Sequence, residues 1–275
     1  HGQFRVARMR SEYASLGGRI GPSSNPGPSR DRSCSDCIRA IVSAHIRTGK
    51  LEAGGVYVTL GLLKMAAHLL KPQVISLDVE GTLVTHHFTR YLWQSAIPEL
   101  YSRRYGLTME EAEETVLSEY HGIGMGRAEW FDIDYWLRRF RLGDAESLIE
   151  AHTSLIEFYP EVRGVLEALA PGYMLVAASS TPLRFLHYIL GDIEHYFARV
   201  FSATTRFGKT KDREFFDWTC RELGVEPASV VHVGDSWEGD YSAASAAGIT
   251  ALFLDRARND GAALGTLEDL LPLLA

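Results

Sequence analysis

The stretch Val74-Ile75-Ser76-Leu77-Asp78-Val79-Glu80-Gly81-Thr82 decides the reading of this chain. Its first four residues, largely apolar and partly β-branched, form the pattern of a short buried strand. That strand ends on a carboxylate, Asp78. The carboxyl ends of strands in a parallel sheet open into the loops where ligands bind. Gly81 lets the backbone turn sharply, so a substrate approaching there meets no side chain. Glu80 stands two residues after Asp78 and can face the same site. One acid of such a pair can attack while the other handles a proton.

Three later stretches supply partners for this pair. Met174-Leu175-Val176-Ala177-Ala178 is a second apolar strand and ends in Ser179-Ser180-Thr181. A basic segment follows at Gly208-Lys209-Thr210-Lys211-Asp212. A third strand, Val230-Val231-His232-Val233, ends in Gly234-Asp235-Ser236-Trp237-Glu238-Gly239-Asp240. Acid, hydroxyl, lysine and a closing acid pair therefore occur in order, three of them at strand ends.

This order resembles the haloacid dehalogenase superfamily, whose four motifs follow the same sequence, and the resemblance runs from Pro72 to Ala275. It implies an α/β fold: a doubly wound parallel sheet with an inserted all-α helical cap. The element pattern agrees. Strand and helix alternate from Val74 onward, as such a sheet requires. Residues 85–160 contain no good strand and read as four helices: Arg90 to Tyr105, Met109 through Tyr120, Trp130 to Phe140, and Asp144 to Phe158. Thr108 with Glu111 makes a capping box for the second of these. The expected organisation is a core of 72–84 and 161–275, with a cap of 85–160 similar to that of subclass I enzymes. Residues 1–55 are rich in Gly, Ser, Pro and Arg, and read as a disordered extension that contributes nothing to catalysis. Met65 offers an alternative start.

The resemblance implies a small phosphorylated metabolite as substrate and an aspartyl-phosphate formed on Asp78. Glu80 is then the acid and base, in a place where the family commonly carries Asp. The enolase-phosphatase family also has Asp-x-Glu-Gly-Thr. A phosphate ester is strongly anionic, so its charge must be neutralised beside a carboxylate nucleophile. A divalent cation held by hard oxygen donors does this, and Mg2+ keeps positions open for water and a substrate oxygen. Asp78, Asp235 and the main-chain carbonyl of Glu80 are the implied ligands, with Asp240 completing the acidic patch. Read without the resemblance, Asp235 and Asp240 are an acid pair at a helix N-terminus.

Ser180 is the expected phosphate-binding hydroxyl, because Thr181-Pro182 then starts a helix whose amides can help. Ser179 is the alternative, and either residue can cap that helix instead. Lys211 fits the family's glycine-x-x-lysine spacing, and Lys209 remains a second candidate for neutralising charge on the transferred group. His86 and His87 follow the first motif. Gly122, Gly124, Gly126 and Arg127 lie in a cap loop. The aromatic stripe Trp130, Phe131, Tyr135, Trp136 and Phe140 is expected to pack between cap helices.

Composition narrows the alternatives. Of 275 residues, 46% are hydrophobic and 23% charged, the balance of an ordinary soluble globular protein. The net charge of −7 lends no support to nucleic-acid binding. Residues 1–55 hold nine Lys/Arg against four Asp/Glu, so the remainder is the acidic part. Three cysteines make no disulfide framework: Cys34 and Cys37 form one C-x-x-C pair without the further ligands of a zinc site, and Cys220 reads as core. These counts suit the cytoplasm. Val56 to Leu70 is too short for a membrane span. Two rival functions stand beside a Mg-dependent phosphatase: a metal-independent 2-haloacid dehalogenase, and a weakly catalytic protein that binds a phosphorylated ligand. Asp235 argues against the dehalogenase, a branch that typically carries no acid there.

Overall fold

The computed structural model describes residues 72–124, 127–257 and 263–274. The expectations for residues 1–55, Cys34, Cys37, Val56 to Leu70, Met65 and Gly126 lie outside them. Five strands form one all-parallel sheet: β1 (Val74–Leu77), β2 (Met174–Ser179), β3 (Arg199–Ser202), β4 (Val230–Gly234) and β5 (Thr250–Phe253), in the order β3-β2-β1-β4-β5. The order reverses between β1 and β4, the topological switch point where ligands bind in open α/β sheets. Every residue of β1 and β4 is buried, which is why both read as near-continuous apolar runs.

Period-two alternation divides these strands between two apolar layers. Ile75 and Leu77 face one layer with Val165, Leu166, Phe185 and Leu186. Val74 faces the other with Phe215, Phe216, Cys220 and Ala244. Each layer is covered by helices, so the sheet is doubly wound. Cys220 is core, as expected.

Between β1 and β2 the chain is helical: α1 (His87–Tyr91), α2 (Ile97–Tyr105), α3 (Met109–Ile123), α4 (Ile133–Phe140), α5 (Ala145–Glu150) and α6 (Val162–Leu169). A wide π-type turn, Leu92–Ala96, joins α1 to α2. The Thr108–Glu111 capping box forms at the start of α3. The entering and leaving segments of this helical cap pair with each other: the Thr85 amide donates to the Glu157 carbonyl at 2.8 Å and the Tyr159 amide to Leu83 at 3.0 Å. Trp136 is fully buried and stacks on Phe140, with Tyr120 edge-on, so the core of the aromatic stripe packs between cap helices.

Two of the expected cap helices are shorter than the sequence pattern implies. The helix expected over 144–158 stops at Glu150, and a short 3-10 turn, Thr153–Leu155, leads into the extended return segment. The stretch expected from Trp130 breaks at Asp132, whose side chain caps α4 by accepting from the Tyr135 amide. A capping carboxylate offers the backbone an alternative to continuing a helix.

The remaining helices cover the sheet: α7 (Leu183–Leu190), α8 (Ala203–Phe207), α9 (Arg213–Leu223), α10 (Ala243–Ala246) and α11 (Leu271–Leu274). A π-type turn, Trp237–Ser242, runs directly into α10. No helix among the described residues is long and apolar enough to cross a membrane.

Candidate active site

The carboxyl ends of β1, β2 and β4 bring the sequence motifs to one place. Asp78 directly follows β1 and is 5% exposed; Asp235 directly follows β4. Asp240 stands in the turn beyond and is wholly buried. One carboxylate oxygen from each of these three acids lies within 4.8 Å of the other two. Gly81 explains how Asp78 and Asp235 come so close. Its φ is +82°, and a Cβ there would overlap the Asp235 carboxylate. A Cβ on Gly234 would likewise overlap the Asp240 carboxyl group. Both glycines are therefore required by space, and Gly81 by backbone conformation as well.

Lys211 closes the cluster from beneath. Its ammonium donates to Asp78 Oδ1 at 2.5 Å and to the Ala178 carbonyl at 3.3 Å, and it also pairs with Asp240. Its side chain is only 3% exposed, so the charge exists there because two carboxylates face it. Those carboxylates hold the lysine pKa above its ordinary value against the opposing effect of burial. Burial pushes Asp78 up to about 8, although Lys211 opposes it. Asp240 is held down at about 2: burial opposes this, and the Lys211 charge and the His232 hydrogen bond outweigh it.

Lys209 does not join this cluster. Its side chain is 43% exposed and pairs with Asp212 at 2.6 Å and Glu214 at 2.7 Å, at the start of α9. The φ of +67° at Gly208 turns the chain out of α8, so only the residue three places on reaches the strand ends.

The two serines after β2 are both engaged through their oxygens. Ser179 Oγ accepts the Thr181 amide at 3.1 Å, and Ser180 Oγ accepts the Lys211 amide at 3.0 Å. Each hydroxyl still has its own proton to give, because accepting uses a lone pair. Ser179 is 2% exposed and Ser180 is more open.

Glu80 is clamped in a way the sequence did not reveal. Thr181 Oγ1 donates to one carboxylate oxygen and Thr89 Oγ1, from α1 of the cap, to the other. The extra methylene of Glu over Asp is thereby accommodated, with the carboxylate held between core and cap. The turn after Glu80 is fastened by Arg256, which donates to the Gly81 and Thr82 carbonyls at 3.2 and 2.8 Å. The same guanidinium pairs with Glu161 at 2.7 Å and lies over the Tyr159 ring.

One further group was not singled out as a site residue from sequence. His232 donates through Nε2 to Asp240 Oδ1 at 2.9 Å, while its Nδ1 meets Ser76 Oγ at 2.8 Å. A histidine inside an otherwise apolar strand, level with a serine inside another, was the available signal. His86 Nε2 lies 3.4 Å from Asp235 Oδ2 and also lines a cavity of about 530 Å³ with His87, Arg90, Tyr91, Gln94, Ser95 and Glu157. Arg127 turns to Glu129 instead.

Three carboxylates thus converge beside a buried lysine at the strand ends. The sequence matches the haloacid dehalogenase-like hydrolases over residues 72–248, more than half of the chain. The protein belongs to this family. A HAD phosphatase from Thermococcus onnurineus is similar in structure, with a TM-score of 0.64 and 29% identity, covering 74% of this chain and 98% of that one. A HAD-superfamily hydrolase of subfamily IA from Geobacter sulfurreducens PCA shares the fold, with a TM-score of 0.53 at 18% identity over 74% of this chain and 97% of that one. The GMP/IMP nucleotidase YrfG of Escherichia coli (strain K12) is 34% identical over 68 residues. That stretch is 25% of this chain and 30% of the nucleotidase, so the likeness spans under a third of that protein.

The donor set fits a hard divalent cation. Carboxylate oxygens are ligands for Mg2+, and among the described residues no thiol or other soft donor joins the cluster. Asp78 and Asp235 are the freer ligands. Both oxygens of Asp240 already have partners, Oδ1 on Lys211 and His232 and Oδ2 on the Ser236 amide at 2.9 Å.

Proposed function

We propose that this HAD-family enzyme is a Mg2+-dependent phosphatase that hydrolyses a small phosphorylated metabolite through an aspartyl-phosphate on Asp78. The observation that carries this reading is the convergence of Asp78, Asp235 and Asp240 around Lys211. Asp78 and Asp235, with the main-chain carbonyl of Glu80, would hold the cation, which would supply positive charge for substrate phosphoryl oxygens.

The chain's own residues do the remainder. Asp78 attacks phosphorus, the bond to the leaving oxygen breaks, and Glu80 gives that oxygen a proton. Glu80, now a carboxylate, takes a proton from water, whose oxygen attacks phosphorus. This releases inorganic phosphate and restores Asp78. Thr89 and Thr181 hold Glu80 for both transfers. Lys211 offsets charge on the transferred group, and the protons of Ser180 or Ser179 are available to its oxygens. Lys209 has no part in this.

Nucleoside monophosphates are the first substrates to test, given the name of the partial relative, followed by sugar phosphates and phosphorylated acids. The deciding assay is p-nitrophenyl phosphate turnover with and without Mg2+, in the wild-type chain and in Asp78→Asn. Mg2+-dependent release of p-nitrophenol, lost in the variant, is expected. Metal-independent halide release from a 2-haloacid would select the dehalogenase instead. Ligand binding without turnover would select a phospho-ligand sensor.

A further inference from the structure

The buried face of the sheet carries a chain of polar groups that ends on the lysine. Ser76 and His232 are partners in the β1–β4 register, so their side chains rise on the same face of adjacent strands. Ser76 is 4% exposed and His232 fully buried, with the Phe216 ring against the imidazole at 4.7 Å between centroids. Asp240 is an acceptor, so Nε2 carries the hydrogen, and Nδ1 then accepts from the Ser76 hydroxyl. A buried polar group survives in an apolar layer only when its hydrogen bonds are made, and here both ring nitrogens are satisfied.

We propose that His232, oriented by Ser76, is a positioning residue for the reaction: it pins Asp240, and Asp240 in turn holds the Lys211 ammonium against Asp78. The proposal deepens the phosphatase reading and rests on it. Asp240 lies in the wide turn Trp237–Ser242, and one of its oxygens is fixed by the Ser236 amide alone. Lys211 divides its hydrogen bonds among Asp240, Asp78 and the Ala178 carbonyl. Freed from His232, the Asp240 carboxylate can rotate, and the ammonium follows it or collapses wholly onto Asp78. Either displacement moves the charge away from the place where the transferred group needs it. His232 itself touches no substrate, because it is fully buried with both ring nitrogens taken by Asp240 and Ser76.

The test compares full-length wild type with His232→Ala, His232→Gln and Ser76→Ala. Gln retains an N–H that can reach Asp240. In His232→Ala, kcat for p-nitrophenyl phosphate is expected to fall about 10–100-fold with little change in KM, the scale of losing a group that orients a site ligand. His232→Gln should recover most of that loss, and Ser76→Ala should cost about two- to tenfold in kcat. In the substrate-free protein, the Lys211 ammonium should give a 1H–15N correlation, assigned by its loss in Lys211→Met. It should vanish in His232→Ala and persist in His232→Gln. An unchanged ammonium signal in His232→Ala, equal loss of kcat in the Gln and Ala variants, or parallel changes in kcat and KM would each overturn the proposal. If His232→Ala does not fold, the Ser76→Ala and His232→Gln pair decides it: unaltered kcat in Ser76→Ala, or a Gln variant whose ammonium signal is lost, overturns it. Should wild type hydrolyse no phosphate ester, the phosphatase reading fails while the ammonium spectra still judge His232.

Discussion

The floor and the roof of this site are built on opposite principles. The floor is Asp78, Lys211, Asp240, His232 and Ser76, all buried, each hydrogen-bonded or paired with a neighbour. The roof is α1 and the segment before it, where His86, His87 and Arg90 are exposed around an open cavity of about 530 Å³. Among the described residues no ion pair engages the Arg90 guanidinium. Charge in the floor is held where desolvation makes any displacement costly, whereas the roof's histidines face the carboxylates of Asp235 and Glu157 and the Arg90 charge is solvated. Under the proposed function, the difference assigns the nucleophile and its lysine to the sheet and contacts with the rest of the substrate to the cap.

The largest expected effect tests the floor. Asp78→Asn keeps the shape and removes the nucleophile, so kcat should fall at least about a thousandfold. Its Tm in metal-free buffer should rise, because a neutral amide relieves the burial cost that pushes this carboxyl up to about 8. The sign follows from that direction. An acid whose folded pKa is raised costs the fold stability progressively from its ordinary pKa up to the folded one, so the gain should be full at pH 9 and vanish below pH 4. A variant with wild-type turnover would break the comparison outright.

Next comes the contrast between two lysines. Lys211→Met should lose about 10²–10³ in kcat, and it should also lose stability, by about 3–5 kcal/mol, because two buried carboxylates are left without their cation. Lys209→Met should stay within about twofold in kcat, since its exposed pairs contribute little. Equal losses in the two variants would erase the distinction between buried and solvated charge.

A smaller effect is expected at the roof. Arg90→Gln should raise KM about three- to tenfold for substrates whose leaving group carries an anion, with kcat nearly unchanged. A fall in kcat at constant KM would place Arg90 with the chemistry and blur the division. The smallest effect is at Cys220, in the layer behind the floor. Burial pushes its thiol up to about 11, so it is a neutral thiol at pH 8 and its thiolate grows only as pH approaches 11. Peptide mapping after iodoacetamide at pH 8 should find Cys220 unmodified in the native protein. Rapid alkylation there would mean that this layer opens.

Much of the site was legible in the primary structure. Asp78, Asp235 and the serine pair announce themselves because each ends a short apolar run, and a strand end in a parallel sheet is where a loop must begin. Gly81 was readable as a turn, although the reason it tolerates no side chain is the Asp235 carboxylate 154 positions away. Helix boundaries were readable where a local cap writes them, as at Thr108 and Glu111, and less so where the chain changes hydrogen-bond pattern, as in Leu92–Ala96 and Trp237–Ser242.

By itself the amino-acid order determined the alternation of strand and helix, the helical insertion and the acids at strand ends. These depend on periodicity and on neighbours a few residues apart. Only the tertiary structure chose Lys211 over Lys209, set Thr181 on Glu80, and joined Ser76 to His232. Such contacts span separations of 101, 133 and 156 residues. They are decided by strand register and packing, through which distant groups come within hydrogen-bonding reach, and no local pattern encodes that.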